Sequence, residues 1–206
     1  MKYGQNISAV SQLQPDYLGF IFHPSSPRHF EGSIPDLPQG IKRTGVFVDA
    51  ELPVILDHLD RYSLNAVQLH GQEPPEVCAS LKEKGLEVIK VFSVGESFDF
   101  HRLKAYHKVV DHFLFDTKGK APGGNGFTFN WNVLESYPSE VPFFLSGGLG
   151  PDELEDIIRL IKSWRNKSKD HLIKGVDLNS KFESAPGLKK TEELNSFMQQ
   201  LKKGLQ

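Results

Sequence analysis

The sequence predicts an α/β fold built on a parallel sheet. Three observations carry this. Short apolar, β-branched or aromatic runs recur with starts 21 to 32 residues apart. Their apolarity is near-continuous rather than alternating, as in strands covered on both faces. Stripes of helical period lie between them. The 206 residues suit one domain, residues 1–206, with enough chain to bury a sizeable core. No linker or low-complexity stretch divides it, and the polar RNKSKD (165–170) falls between a helix and a strand.

The elements follow in order. The first is a helix, NISAVSQLQ, with Ile7, Val10 and Leu13 on one side and Pro15 ending it. Strands are expected at YLGFIF (17–22), TGVFV (44–48), AVQLH (66–70), EVIKVF (87–92), HFLFD (112–116), PFFLS (142–146) and KGVDL (174–178). The loop 23–42 holds four prolines and has room only for a short helix. Val54, Ile55 and Leu59 make a weak helical stripe, as do Val77, Cys78 and Leu81. Leu154, Ile157, Ile158, Ile161 and Trp164 make a strong one, with Pro151 and Asp152 suited to its first turn. Leu194, Phe197, Met198 and Leu201 repeat the pattern near the C-terminus.

Two architectures fit this order, a (β/α)8 barrel and an open doubly wound sheet. No GxGxxG follows the first strand, which removes one support for a dinucleotide-binding sheet. Seven strands are visible, not eight. In a barrel a strand precedes the first helix, so the chain is expected to begin just after the place of that strand.

Composition narrows the function classes. Twenty-four basic and 26 acidic residues give a net charge of −2, which does not suggest a nucleic-acid partner. No run approaches the length of a membrane span, and MKYGQNISAV is no secretory signal. The single cysteine, Cys78, allows no internal disulfide and fits a reducing cytoplasm. A soluble cytoplasmic protein is expected. Cys78 lies on a helix stripe and reads as a small buried apolar residue. No His/Cys/Asp cluster has metal-ligand spacing.

The polar residues at strand ends are the candidates for chemistry, because barrel active sites form there. Asp116 ends HFLFD and is followed by the glycine-rich GKAPGGNG. It is either a general acid or base or a loop-capping aspartate. The loop, with Gly123, Gly124 and Gly126, lets backbone N–H groups approach an anion or close over a ligand. LSGGLGP (145–151) runs from a strand into a helix, and Gly147 and Gly148 suit a phosphate-binding turn. GVDLNS (175–180) adds Asp177, Asn179 and Ser180 at the next strand end. Arg28, in HPSSPRHF, has the planar fork that pairs with a carboxylate. Gln68 and His70 end the strand in QLHG.

Taken in sequence, GFIFHPSSPR, RTGVFV, VQLHG, FDTKGKAPGGNG followed by FNW, LSGGL and GVDLNSKFESAPGLK, with Phe197 downstream, resemble phosphoribosylanthranilate isomerase. The resemblance runs from about residue 17 to the C-terminus. It implies a small (β/α)8 barrel that performs an Amadori rearrangement of N-(5-phosphoribosyl)anthranilate in tryptophan biosynthesis, without metal or organic cofactor. Asp116 then matches the general acid and Arg28 the residue that holds the anthranilate carboxylate. Gly147, Gly148, Asn179 and Ser180 match the phosphate clamp, and Asp177 lies close to the substrate. The implied partner is a small phosphorylated molecule, and a monomer is expected.

The sequence departs from the family in two places. The family's first strand ends in a K-x-C-G-M-like motif whose cysteine is the general base. This chain starts MKYG, and Met1 is expected to correspond to the M of that motif. Lys181 stands where many members have glycine. Two other readings remain open. One is another phosphate-binding barrel enzyme, such as indole-glycerol-phosphate synthase, which wants a strand-end lysine, or a pentose-phosphate epimerase, which wants metal ligands. The other is a non-catalytic barrel remnant that binds a phosphorylated ligand.

Overall fold

The computed structural model describes residues 1–117 and 130–206. It is an α/β fold whose seven principal strands follow chain order in one sheet. The chain divides into two compact units. The first comprises Met1–Val91, Lys108–Asp111 and Glu183–Thr191; the second comprises Phe92–His107, His112–Phe182 and Glu192–Gln206.

The first unit opens with α1 (Gly4–Ser11), which buries Ile7 and Val10 as the periodicity predicts. Gln14 then takes a left-handed φ of 53° and turns the chain into β1 (Tyr17–Ile21). The proline-rich stretch forms no helix; Phe30 N donates to Ile21 O at 2.8 Å, which folds the loop back on β1. Then come β2 (Lys42–Phe47), α2 (Leu52–Tyr62), β3 (Ala66–Leu69), α3 (Pro75–Glu83) and β4 (Glu87–Val94). β1 pairs β2, β2 pairs β3 and β3 pairs β4, all parallel. Met1 is buried, and its amino group donates to Gly19 O on β1.

On α2 the expected stripe is corrected at one position. Ile55 is buried but Val54 is 46% exposed, and Tyr62 takes the inward place about two turns further on. The reason is aromatic: Tyr62 stacks on Phe22 at 4.9 Å between ring centroids, and Phe22 stacks on Phe47 at 5.3 Å. Such a cluster buries more apolar area than a valine would.

The second unit holds β5 (His112–Thr117), β6 (Phe143–Leu145), α4 (Leu154–Asn166) and β7 (Ile173–Val176). β5 pairs β6 and β6 pairs β7, again parallel. Leu154, Ile157 and Trp164 of α4 are buried, whereas Ile158 and Ile161 are only partly so. Phe113, Phe115 and Phe143 are fully buried, and Tyr137 and Trp164 pack edge-on against Phe143. Short 3-10 turns at Phe100–Tyr106 and Trp131–Ser136 stand where full helices would be expected between strands.

A two-stranded antiparallel ribbon, β8 (Glu183–Ala185) with β9 (Leu188–Lys189), belongs to the first unit and has no counterpart in the sequence reading. The last helix, α5 (Thr191–Gly204), buries Leu194 and Phe197, and Phe197 packs edge-on to Phe182 at 5.1 Å.

Candidate active site

In the second unit the ends of β5, β6 and β7 come together through named hydrogen bonds. Ser146 N donates to Phe115 O at 2.9 Å, and Asp177 N donates to Leu145 O at 2.8 Å. These continue the ladder one residue past the strands, so Asp116, Ser146 and Asp177 stand at neighbouring strand ends. Asp116 is the next-to-last residue of β5 and is partly exposed. Ser146 Oγ donates to Asp177 Oδ2 at 3.0 Å, which fixes that carboxylate. Gly124 and Gly126 lie outside the described residues.

The turn after β6 fits glycine for a steric reason. Gly147 has φ +88°, and a Cβ there would lie 2.2 Å from Thr117 Oγ1 and 2.4 Å from Thr117 N. Thr117 Oγ1 donates to Gly147 O at 3.2 Å. Gly148 follows with φ +72°, so two successive peptides turn together. A 3-10 turn at Pro151–Glu153 then leads into α4, and Gly150 N donates to Glu153 Oε2 at 2.8 Å. Asn179 and Ser180 lie at the start of another 3-10 turn, closed by Phe182 N donating to Asn179 O at 3.1 Å. Gly147, Gly148, Asp177, Asn179 and Ser180 are thus all at strand ends or in the turns that follow them.

In the first unit Arg28 does not lie loose on the surface. Its Nε donates to Glu183 Oε2 at 2.8 Å, and its NH2 nitrogen forms an ion pair with the same oxygen at 2.8 Å. Lys189 Nζ donates to Glu183 Oε1 at 3.0 Å. Burial pushes the Glu183 carboxyl up, but the hydrogen bonds and charges of Arg28 and Lys189 outweigh it and hold the group below the usual carboxylate range. The pairing holds the guanidinium in one orientation while leaving further N–H groups for a second acceptor. Asn6 holds β9 in place, accepting from Lys189 N at 2.8 Å and donating to Lys189 O at 2.9 Å.

Gln68 and His70 are both partly exposed at the end of β3, with Gln68 Nε2 3.4 Å from His70 Nδ1. With the amide as donor, the neutral ring carries its proton on Nε2. Cys78 is fully buried on α3, and burial pushes its thiol up to about 11.

The sequence reading missed Glu183, Ser146 and Thr117, which orient candidate residues. A signal existed for Glu183: a lone acid next to Phe182, five residues past the last expected strand. Among the described residues, no group of three or more His, Cys, Asp or Glu side chains could hold a metal ion, and no helix is long and apolar enough to cross a membrane.

Comparison with known proteins shows the family of the chain. The family model for N-(5′-phosphoribosyl)anthranilate isomerase matches residues 1–200. The isomerase of that name from Phocaeicola vulgatus is 42% identical over 206 residues, covering 100% of this chain and 97% of the relative. The crystal structure of phosphoribosylanthranilate isomerase from Thermotoga maritima superposes with a TM-score of 0.82 at 30% identity, over 98% of this chain and 96% of that one. A structure of the isomerase in complex with reduced 1-(o-carboxyphenylamino)-1-deoxyribulose 5-phosphate matches with a TM-score of 0.75 at 30% identity, over 95% and 91%. The chain belongs to the N-(5′-phosphoribosyl)anthranilate isomerase family.

Proposed function

We propose that this chain converts N-(5-phosphoribosyl)anthranilate to 1-(2-carboxyphenylamino)-1-deoxyribulose 5-phosphate, an isomerisation of tryptophan biosynthesis, on a single (β/α)8-type domain. The observation that supports this most is a family match over residues 1–200 in a chain that places Asp116 at the end of β5. We assign the roles as follows. Asp116 gives a proton to the furanose ring oxygen. The C1′–O bond breaks, and the nitrogen lone pair forms the Schiff base. A general base then removes the C2′ proton. The electron pair left behind forms the C1′–C2′ double bond of the enolamine, which tautomerises to the ketone. Arg28, oriented by Glu183, takes the anthranilate carboxylate. The turns at Gly147–Gly148 and Asn179–Ser180 take the phosphate, and Asp177, Gln68 and His70 contact the sugar and its substituents. A monomer in the cytoplasm is part of the same proposal.

The base is the step that the residues constrain most. Cys78 is the only cysteine of the sequence, and its burial on α3 and raised thiol remove it from this role. A second reading stands beside the first, a chain that binds the phosphorylated ligand without turning it over. Loss of substrate fluorescence decides between them. The first reading expects turnover that Asp116→Asn abolishes, in this chain or in one extended by a strand ending in K-x-C-G-M. Tight ligand binding without turnover in both chains would establish the second.

A further inference from the structure

The proposed chemistry leaves one set of buried charges unused. Lys90 on β4 and Glu73 beyond β3 each have side chains only 2% exposed. Buried charges persist where a partner and full hydrogen bonding compensate their lost hydration. Here the compensation is directional. Lys90 Nζ donates to Leu69 O at 3.1 Å, Gly71 O at 2.8 Å and Glu73 Oε2 at 3.0 Å. Glu73 in turn accepts from Gly71 N at 3.0 Å and from Asp49 N at 2.9 Å. Asp49 Oδ1 accepts from Gln72 N.

These bonds converge on His70. Of the three carbonyls that Lys90 contacts, Leu69 O and Gly71 O belong to the residues on either side of His70, and the third is Val91 O at 3.4 Å. The His70 N–H donates to Phe47 O at 2.8 Å. The loop is also sterically closed, since a Cβ at Gly71 would lie 2.2 Å from Asp49 Oδ1. An apolar pair would pack the same space without fixing these peptide groups. The ion pair fixes them one by one, and with them the direction of the His70 side chain.

We propose that Lys90 and Glu73 are positioning residues, a buried pair that sets the backbone on both sides of His70 and so the approach of its imidazole to the phosphorylated ligand. This rests on the reading of His70 as a ligand contact. The test uses the 206-residue chain, calorimetric titration with reduced 1-(o-carboxyphenylamino)-1-deoxyribulose 5-phosphate, and thermal unfolding. Binding is measured, so the identity of the general base does not enter.

The double variant Lys90→Met/Glu73→Gln removes both charges together, and its unfolding temperature is expected near that of the parent. Its affinity is expected to fall about 10- to 100-fold, as a misplaced contact does. His70→Ala is expected to weaken the parent by a comparable factor and to add nothing in the double variant. Should the double variant be unfolded at assay temperature, Lys90→Gln/Glu73→Gln, which also leaves no lone buried charge, carries the same comparison. Parent-like affinity in the double variant overturns the proposal, as does an equal His70→Ala effect in both backgrounds. If His70→Ala leaves the parent unchanged, the ligand reading of His70 falls and the positioning role falls with it.

Discussion

Replacing Glu183 by glutamine keeps the side-chain shape and removes one negative charge from between two cations. In the structure its carboxylate accepts from Arg28 at 2.8 Å, from Lys189 at 3.0 Å and from Gly187 N at 3.1 Å. In the variant, Arg28 and Lys189, with side chains only 16% and 7% exposed, lose their shared counter-charge. Removing one partner of a buried pair costs about 3–5 kcal/mol, and the partial exposure of Arg28 places this case at the lower end. For a chain of this size, about 3 kcal/mol lowers the unfolding midpoint by about 6–12 °C. The pH dependence has a definite sign. The folded-state pKa of Glu183 lies below the ordinary value of 4.5, so its contribution is present above that value and is lost as pH falls through the folded pKa. Thermal unfolding followed by circular dichroism, parent against variant, is expected to show the full gap at about pH 7 and a closing gap below about pH 4. A gap that persists undiminished to about pH 3 would refute the reasoning, because the carboxylate charge would then not be its source. A gap near zero at about pH 7 would do the same from the other side.

Gly147→Ala forces a left-handed residue to carry a Cβ 2.4 Å from Thr117 N, so a loss of about 1–3 kcal/mol is expected by urea denaturation, with weaker competition by inorganic phosphate. Lys90→Met alone removes the cation beside the buried Glu73 carboxylate, and it is expected to cost about 3–5 kcal/mol in the same assay. Cys78 is expected to resist a thiol-specific disulfide reagent in the folded chain and to react fully in denaturant, because it is buried and its thiol is raised to about 11.

The strand and helix order was legible because parallel strands buried on both faces leave unbroken apolar runs, and FLF or VFV says so without a partner in view. The C-terminal stripe on α5 was legible for the same reason, as Leu194 and Phe197 fall on one side. Residues chosen by long-range pairing were not. Val54 was placed inside by its neighbours' periodicity, but it is exposed, and α2 instead buries Tyr62, which stacks on Phe22. The ribbon of β8 and β9 is only a few residues long, and its register depends on Asn6, far away in sequence. Of the candidate site, the strand-end acids and the glycine turn could be read directly, since a tight turn after a strand leaves a local mark. What orients them could not. Glu183 meets Arg28 across 155 residues and Ser146 meets Asp177 across 31, separations at which sequence spacing carries no signal.

Lys90 shows how a single buried charge separates related chemistries. A lysine inside the apolar run EVIKVF has two explanations: a strand-end acid, as the synthase reading requires, or a structural cation with a buried partner. A catalytic ammonium must reach the substrate and keep a proton to deliver. The Lys90 ammonium directs its N–H groups at the carbonyls of Leu69, Gly71 and Val91 and at the Glu73 carboxylate, and its side chain is 2% exposed. Delivering a proton from there would leave Glu73 charged in the core beside a neutral amine, which burial strongly opposes. The synthase chemistry therefore loses its acid in this chain. The isomerase reading proposes Asp116 instead, a partly exposed carboxyl near the end of a strand. The isomerase reading thus assigns each charge a task compatible with its burial: Asp116 to the proton, Arg28 and Glu183 to the carboxylate, and Lys90 with Glu73 to the loop that carries His70.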